Sequence, residues 1–348
     1  MRKGKIEFPV TTAARTASFL QSMKALVSAV VMAQALSAGL FAAQPPAALP
    51  DDQVIRVDVN LVNIFFSVRD RKGAYITNLG KDDFTIYEEG KPQEIRFFSR
   101  ETDQPLTLGL LVDVSRSQEA LIEIERSASS RFFQRVLREK DMAFLISFGV
   151  DAELLQDFTG SPALLARALD RLRLNAGVSG MSPTGSPIPL PGGGRGTVLY
   201  DAVWLASKEK LRGEVGRKAL IVITDGVDVG SRVKLQEAIE EAQRSDAIVY
   251  VILFEDPRYT SWQYGGVSGE GAMRRMAEET GGRVFRVSRR ESLDDIYDTI
   301  QTELRSQYSA AYAPSNQARD GSFRRIEVKT KNRDYRVQVR RGYYAPKD

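Results

Sequence analysis

The stretch that most constrains this chain is an apolar run that ends in oxygen-bearing side chains. Residues 106–112 are mostly apolar, and Asp113, Ser115 and Ser117 follow them at alternate positions. A continuous apolar run of this length is typical of a strand that is covered on both faces. The loop at the end of that strand would therefore present one carboxylate and two hydroxyl groups, which are candidate ligands of a metal ion.

Runs of this kind alternate with amphipathic segments between residues 105 and 306. Further apolar runs lie at 143–148, 219–223 and 248–254. Apolar residues recur at helical spacing in 120–136 and 164–172, and further helices are expected at 198–211, 233–245, 270–280 and 293–306. Such alternation predicts an α/β fold with a doubly wound, mostly parallel sheet. Residues 152–158 follow the preceding strand after a short connection and should form an antiparallel edge strand.

The segments on either side of this region have β character. Short alternating runs predict strands at 54–61, 64–68, 84–88, 94–99, 308–312, 323–329 and 335–340, with a turn at 89–92, Glu-Gly-Lys-Pro. Because four short strands hide little surface, we expect both sets to form one small β-sandwich that flanks the α/β region or holds it as an insertion. The predicted division is a signal peptide or membrane anchor with a linker at 1–50, N-terminal strands at 51–104, an α/β domain at 105–306, and C-terminal strands at 307–348.

The N-terminal segment has the pattern of a targeting signal. Residues 25–43 carry no charge and are rich in Ala, Leu and Val, with Lys24 before them and Gln44-Pro45-Pro46 after them. This pattern is typical of a secretory signal, and Met23 could be the true start. An uncleaved segment of this length approaches what a membrane anchor needs. We therefore expect an exported protein, periplasmic, cell-surface or secreted, that would contact a membrane only through this segment.

The composition excludes several classes of chemistry. None of the 348 residues is Cys or His, which excludes disulfides, thiolate nucleophiles, imidazole bases and ordinary zinc sites. The chain has 49 Lys and Arg against 45 Asp and Glu, and this small, dispersed excess does not indicate nucleic-acid binding. Any catalysis would have to use Asp, Glu, Ser, Lys or Tyr.

Two further segments should meet Asp113 at one edge of the sheet. Asp225 follows an apolar run, and the carboxyl ends of parallel strands converge on a common crevice. Thr197 ends a long loop rich in Gly and Pro and stands at a predicted helix start. The predicted ligand set is Asp113, Ser115, Ser117, Thr197 and Asp225. All are hard oxygen donors suited to Mg²⁺ or Mn²⁺ with waters, and a carboxylate of a partner could fill an open position.

Each of these fragments also has an ordinary structural explanation. Asp and Ser are the usual residues of turns and helix caps after strands. Thr197 could be an N-cap, and Asp225-Gly226 could be a plain turn. The metal-site hypothesis therefore depends on the conjunction of three fragments at positions that the topology brings together.

The same fragments resemble the motifs of the von Willebrand factor A domain family. Asp113-Val114-Ser115-Arg116-Ser117 is similar to its Asp-x-Ser-x-Ser motif, Thr197 to its threonine, and Ile223-Thr224-Asp225-Gly226 to its second aspartate motif. The resemblance covers about residues 105–306 and implies a metal-ion-dependent adhesion site on a dinucleotide-binding-like sheet. The flanking strands and the closing Arg341-Gly342-Tyr343-Tyr344-Ala345-Pro346 further resemble the bacterial "VWFA-related" proteins, a resemblance that implies no additional activity.

Residues and resemblance together predict an exported, non-enzymatic binding module. It would capture an exposed Asp or Glu of a protein partner through the divalent cation. Tyr259, Trp262 and Tyr264 follow the strand at 248–254 and could form a ligand rim, or they could pack on their own loop. Two alternatives are a hydrolase that uses the same ion to activate water, and a structural cell-envelope scaffold in which the metal only stiffens the domain.

Overall fold

The computed structural model describes residues 61–100, 104–174, 196–254 and 269–347. Every described residue belongs to one compact unit, Val59–Asp348. The predicted signal or anchor at 1–50 lies outside the described residues, as do the candidate rim residues Tyr259, Trp262 and Tyr264. Among the residues described, no helix is both long and apolar enough to cross a membrane.

The described parts of the chain form strands and helices in the following order. The strands are β1 Val62–Arg69, β2 Phe84–Glu88, β3 Lys91–Gln93, β4 Ile95–Ser99, β5 Leu106–Asp113, β6 Met142–Phe148, β7 Ala152–Thr159, β8 Arg217–Thr224, β9 Ala247–Leu253, β10 Val284–Arg286, β11 Tyr308–Tyr312, β12 Phe323–Thr330, β13 Arg336–Val339 and β14 Gly342–Tyr344. The α-helices are α1 Ile122–Val136, α2 Pro162–Leu169, α3 Leu199–Leu205, α4 Leu235–Arg244, α5 Glu270–Thr280 and α6 Leu293–Arg305. A 3₁₀ turn, Arg116–Gln118, precedes α1, and a π-helical turn, Ala206–Leu211, continues α3.

The centre of the molecule is a six-stranded sheet in the order β10-β9-β8-β5-β6-β7. All neighbours in it are parallel except β6 and β7, which run antiparallel. The two innermost strands, β5 and β8, are buried along their whole length, which explains their continuous apolar runs. The predicted doubly wound sheet and its antiparallel edge strand are therefore confirmed.

Helices cover both faces of this sheet. α1, α2 and α6 pack on one face and α3, α4 and α5 on the other, each layer with its own apolar core. Successive side chains of a strand point to opposite faces, so that Leu110 of β5 belongs to the first core and Leu111 to the second. The sheet is thus buried on both sides, and only its edges and the loops at its strand ends remain open to ligands.

The remaining strands form two antiparallel sheets, in the orders β13-β1-β11-β4 and β14-β12-β2-β3. Each sheet combines strands that precede the α/β region with strands that follow it. They share one core, to which β1 contributes Ile64 and Phe66, β2 contributes Ile86, and β11 contributes Tyr308. The expected sandwich of N- and C-terminal strands is therefore confirmed. The predicted domain boundaries stay a prediction.

Some details differ from the sequence expectations. β3, β10 and β14 are three residues long each and were not predicted. The turn expected at 89–92 is wrong in its second half, because only Glu89 and Gly90 have positive φ, 47° and 75°, and β3 begins directly after them. Pro92 lies in β3, an edge strand, where a missing N–H removes no ladder hydrogen bond. The predicted strand at 54–61 lies almost entirely outside the described residues.

Candidate functional site

The candidate site lies where the strand order of the central sheet reverses. β5 and β8 are neighbours, and the chain continues from β5 to β6 on one side and from β8 to β9 on the other. The loops after these two strands lead to helices on opposite faces, α1 and α4. In sheets of this kind, ligands bind in the crevice at the carboxyl edge between two such loops. Asp113 is the last residue of β5, and Asp225 directly follows β8.

Hydrogen bonds join four of the five predicted ligands. The Ser117 hydroxyl donates to Asp225 Oδ2 at 2.6 Å, and the Ser115 and Ser117 hydroxyl oxygens are 3.1 Å apart. The backbone N–H of Ser115 donates to Asp113 Oδ1 at 2.9 Å. The loop after β5 thus folds back over its own aspartate and reaches the aspartate that follows β8.

Thr224 also belongs to this network, although it is not among the five predicted ligands. Its hydroxyl donates to Asp113 Oδ2 at 2.7 Å and accepts the N–H of Gly226 at 3.0 Å. Asp225 Oδ1 accepts the N–H of Val227 at 3.0 Å. These bonds fix the orientation of both carboxylates. The signal in the sequence was a hydroxyl directly before the second aspartate.

Thr197 lies at the same edge of the sheet as these residues. Its carbonyl accepts the N–H groups of Val229 and Gly230, both at 3.2 Å, and the N–H of Val198 donates to the carbonyl of Gly149 at 2.8 Å. Thr197 is therefore held between the loops that follow β6 and β8. Within the described residues, no hydrogen bond connects its hydroxyl with the other four side chains. Its role as a ligand stays a prediction.

Two other acidic residues near the site stabilise loop ends. Asp228 Oδ1 accepts the N–H of Tyr200 at 3.2 Å and the hydroxyl of Ser231 at 2.5 Å. The carboxylate of Asp201 accepts the N–H groups of Arg232 and Val233. Both carboxylates hold the start of α3 against the loop after β8, and they thereby keep Thr197 at the edge of the crevice.

The electrostatics of the site favour a cation. Asp113 is fully buried, and burial, followed by the charge of Asp225, raises its pKa to about 7, while hydrogen bonds from Ser115 and Thr224 act in the opposite direction. A dication would offset the cost of keeping both carboxylates charged. The described residues contain no group of three or more Asp, Glu, His or Cys side chains arranged around a metal position. The two carboxylates with their neighbouring hydroxyls fit a magnesium-type ion that keeps several waters.

Below the site, two polar side chains of the same region are buried without partners. Gln118, at the end of the 3₁₀ turn, and Glu125, on α1, are both fully buried, and none of their side-chain oxygen and nitrogen atoms has a hydrogen-bond partner. Burial, followed by the charge of Asp113, raises the pKa of Glu125 well above its ordinary value. Glu125 occupies an inward position of α1, between the buried Ile122 and Ala128. Sequence reasoning missed Glu125. The signal for it was an acidic residue within the apolar stripe of a predicted helix.

No protein-family model matches this sequence, and no curated protein matches it. Among solved structures, it is similar to the conserved hypothetical protein BatB from Bacteroides thetaiotaomicron, with 21% identity over 57% of this chain and 97% of that chain and a TM-score of 0.41. An aerotolerance-related membrane protein from Bacteroides fragilis has 19% identity over 57% and 98% of the two chains and a TM-score of 0.41. The vWF domain of the type V pili tip protein Mfa5 from Porphyromonas gingivalis has 13% identity over 57% and 94% and a TM-score of 0.41. Likenesses this distant carry no functional argument.

Proposed function

We propose that this chain is an exported, non-enzymatic protein-binding module that captures an acidic group of its partner through a divalent cation. The observation that carries the proposal is the convergence of Asp113, Ser115, Ser117 and Asp225 at the topological switch point of a doubly wound sheet. Export rests on the uncharged, Ala-rich segment at 25–43.

Mg²⁺ or Mn²⁺ would be held by the carboxylates of Asp113 and Asp225 and by the hydroxyls of Ser115 and Ser117, directly or through water, with Thr197 as a further oxygen donor. When bound, the ion supplies a Lewis-acidic position for an oxygen ligand. These side chains leave coordination positions of the ion open to water, and the carboxylate of an acidic side chain of a partner could fill one of them. The pairing of a bound cation with an exposed carboxylate makes the partner's Asp or Glu the specific element of recognition.

Thr224 and the backbone N–H groups of Ser115 and Val227 hold the two carboxylates in place. Each carboxylate oxygen that accepts one of these hydrogen bonds keeps a further lone pair, which can bind an ion. Hydrolysis would need a general acid and a general base beside the ion. Among the described residues, the hydrogen bonds of the site join no such further pair of side chains to the candidate ligands, and this favours binding over hydrolysis.

The first test is thermal unfolding with and without Mg²⁺ or Mn²⁺. We expect either ion to raise the melting temperature of the wild-type chain, because an ion that binds only the folded state stabilises it by mass action. Asp113→Ala should abolish the shift, and Ser117→Ala should reduce it. Asp320→Asn is the matched control, since this exposed carboxylate lies in the sandwich, accepts hydrogen bonds from Ser322 and lies 4.0 Å from the guanidinium of Arg324, away from the metal site.

A shift that survives in Asp113→Ala would refute the metal site. The binding role is tested by pull-down from envelope extracts with Mg²⁺ or with a chelator, using wild type and Asp113→Ala as baits. A partner that is retained only by wild type and only with metal supports the proposal. Retention that is equal under all conditions indicates the scaffold, and metal-dependent turnover of a peptide or phosphoester panel indicates the hydrolase.

A further inference from the structure

The N-terminal end of α5 touches the loop that carries Asp225. Gly269, the residue directly before α5, lies against the backbone of Gly226, which directly follows Asp225. A Cβ added at Gly269 would overlap the carbonyl group of Gly226 and would lie 3.1 Å from its Cα. Glycine at position 269 is therefore required for this close approach of two backbones.

Gly226 is held in place from several sides. Its φ of 85° lies in the left-handed region, which favours glycine. A Cβ at Gly226 would lie 3.2 Å from a methyl of Leu253 and 3.3 Å from Cγ of Met273 in α5. The N–H of Gly226 donates to the Thr224 hydroxyl at 3.0 Å. The position of Gly226 thus depends on α5 as well as on β8.

Short connections lead from Gly226 to both carboxylates of the metal site. The Thr224 hydroxyl, which accepts the Gly226 N–H, donates to Asp113 Oδ2 at 2.7 Å. Asp225 directly precedes Gly226, and its Oδ1 accepts the N–H of Val227 on the other side of Gly226 at 3.0 Å. A movement of the Gly226 peptide group would therefore change the orientation of both carboxylates.

α5 is anchored along its length, so it cannot easily move away from this loop. Met273 and Met276 are fully buried in the second core. The N–H of Met273 donates to the carbonyl of Gly269 at 3.0 Å, which closes the first turn of the helix. At the other end, the Thr280 hydroxyl accepts the N–H of Val249 in β9 at 3.1 Å.

The sandwich also holds the C-terminal end of α5. The carbonyl of Gly281 accepts a hydrogen bond from Gln338 of β13 at 3.0 Å, and the carbonyl of Glu279 accepts the N–H of Arg341 at 3.2 Å. The guanidinium of Arg341 lies 2.8 Å from the carboxylate of Glu278. α5 has 11 residues and is therefore about 16.5 Å long. It thus reaches from the sandwich to the loop of the metal site.

We propose that Gly269 is a positioning residue of the metal site, and that α5 holds the loop after β8 through the contact of Gly269 with Gly226. This inference rests on the proposed function, because the site that it positions is the cation site of Asp113 and Asp225. Since α5 is anchored, a methyl group at position 269 would displace the Gly226 peptide group rather than the helix. Groups that orient metal ligands typically change the metal affinity by roughly 10–100-fold when they are altered.

The test is isothermal titration calorimetry of the full chain with MgCl₂ and with MnCl₂. Gly269→Ala should bind either ion about 10–100-fold more weakly than wild type does. Gly271→Ala is the matched control, because it adds a methyl group to the same helix at an exposed position where a Cβ would contact no atom within 4 Å. Its affinity should equal that of wild type. A purely structural role of Gly269 would lower the melting temperature of the metal-free variant without changing the affinity of the folded chain.

A second measurement needs no variant, so it decides the question even if Gly269→Ala does not fold. Hydrogen–deuterium exchange of wild type is followed with and without Mg²⁺. The ion should slow exchange in the first turn of α5, including the N–H of Met273, because it restrains the loop that this turn contacts. α2 is the internal control. It begins at the opposite edge of the sheet, since β7 runs antiparallel, and its exchange should not change.

The outcomes separate this inference from the metal site itself. If wild type binds neither ion, the metal site fails and this inference fails with it. If wild type binds an ion and Gly269→Ala binds it equally well, only this inference is overturned. The same conclusion follows if Gly271→Ala loses as much affinity, or if Mg²⁺ binds but leaves exchange in α5 unchanged.

Discussion

The carboxyl group of Asp113 is fully buried, and its charged form is disfavoured by burial and by the charge of Asp225. Its pKa of about 7 in the metal-free protein means that near neutral pH the group takes up a proton readily. A metal ion and this proton compete for the same carboxylate, because metal ligands must be deprotonated. Metal binding at this site should therefore depend on pH in a range where exposed carboxylates no longer titrate.

We predict that the stabilisation by Mg²⁺ grows with pH between roughly 5.5 and 8. The folded pKa of Asp113 lies above its ordinary value of 3.8, so its contribution to the stability of the metal-free protein is present at low pH and is lost as pH rises through about 7. Mg²⁺ offsets that loss. The measurement is the melting temperature with and without Mg²⁺ across this range. A shift that is constant, or that is larger at the acidic end, would contradict the assignment of Asp113.

Glu125 provides a second prediction, independent of metal. Its folded pKa is raised by burial and by Asp113, so its favourable contribution is also present at low pH and lost as pH rises. Glu125→Gln keeps the shape of the side chain and removes the group that ionises. In urea unfolding without divalent cations, the variant should lose less stability than wild type between roughly pH 5 and pH 8. Glu119→Gln, at an exposed position, is the control and should behave like wild type. Equal losses in Glu125→Gln and wild type would contradict a raised pKa of Glu125 in the folded state.

At the scale of elements, long buried strands were predictable and short edge strands were not. β5 and β8 each carry eight successive buried residues, which leaves a clear pattern in the sequence. β10 and β14 have only three residues each, too few for any periodicity, and they exist because a neighbouring strand offers free backbone groups. The site follows the same rule. Asp113 and Asp225 stand at strand ends and could be predicted, whereas Glu125 depends on which face of α1 is buried and on what lies behind it.

β5 also contains a glycine, Gly109, at a position where close packing leaves no room for a side chain. A Cβ added at Gly109 would lie 2.4 Å from the Phe144 ring and 2.5 Å from a methyl of Leu220, on the neighbouring strands β6 and β8. We predict that Gly109→Ala lowers the free energy of unfolding by about 1–3 kcal/mol, as overpacking of a tight core does. Gly213→Ala is the matched control, because a Cβ there would contact no atom within 4 Å. Chemical denaturation of both variants measures the difference in the free energy of unfolding. Equal values would show that the core accommodates the added methyl group without losing stability.

At the scale of the whole molecule, a buried carboxylate connects the α/β region with the sandwich. Glu303 on α6 is almost fully buried and accepts hydrogen bonds from Tyr75, at 2.7 Å, and from Tyr250 of β9, at 3.1 Å. Arg283 donates to Glu303 at 3.0 Å and to the Tyr75 hydroxyl at 3.0 Å. Tyr75 belongs to the segment between β1 and β2. These four side chains are far apart in sequence, and no local pattern could have predicted their contact.

The network predicts that the two regions unfold together. Tyr75→Phe removes the hydroxyl that bridges Glu303 and Arg283, and it should cost about 1–3 kcal/mol because it leaves a buried charged group with fewer hydrogen bonds. Tyr87→Phe is the control, since in the described structure the Tyr87 hydroxyl makes no hydrogen bond, although its ring lies under Lys329. Far-UV circular dichroism reports on all strands and helices. The fluorescence of the two tryptophans, Trp204 on α3 and Trp262 in the sequence between β9 and α5, reports mainly on the α/β region. We expect the two probes to report the same unfolding transition in wild type. That transition should move to a lower denaturant concentration in Tyr75→Phe but not in Tyr87→Phe. Separate transitions in wild type would mean that the hydrogen bonds of Glu303 do not couple the sandwich to the α/β sheet.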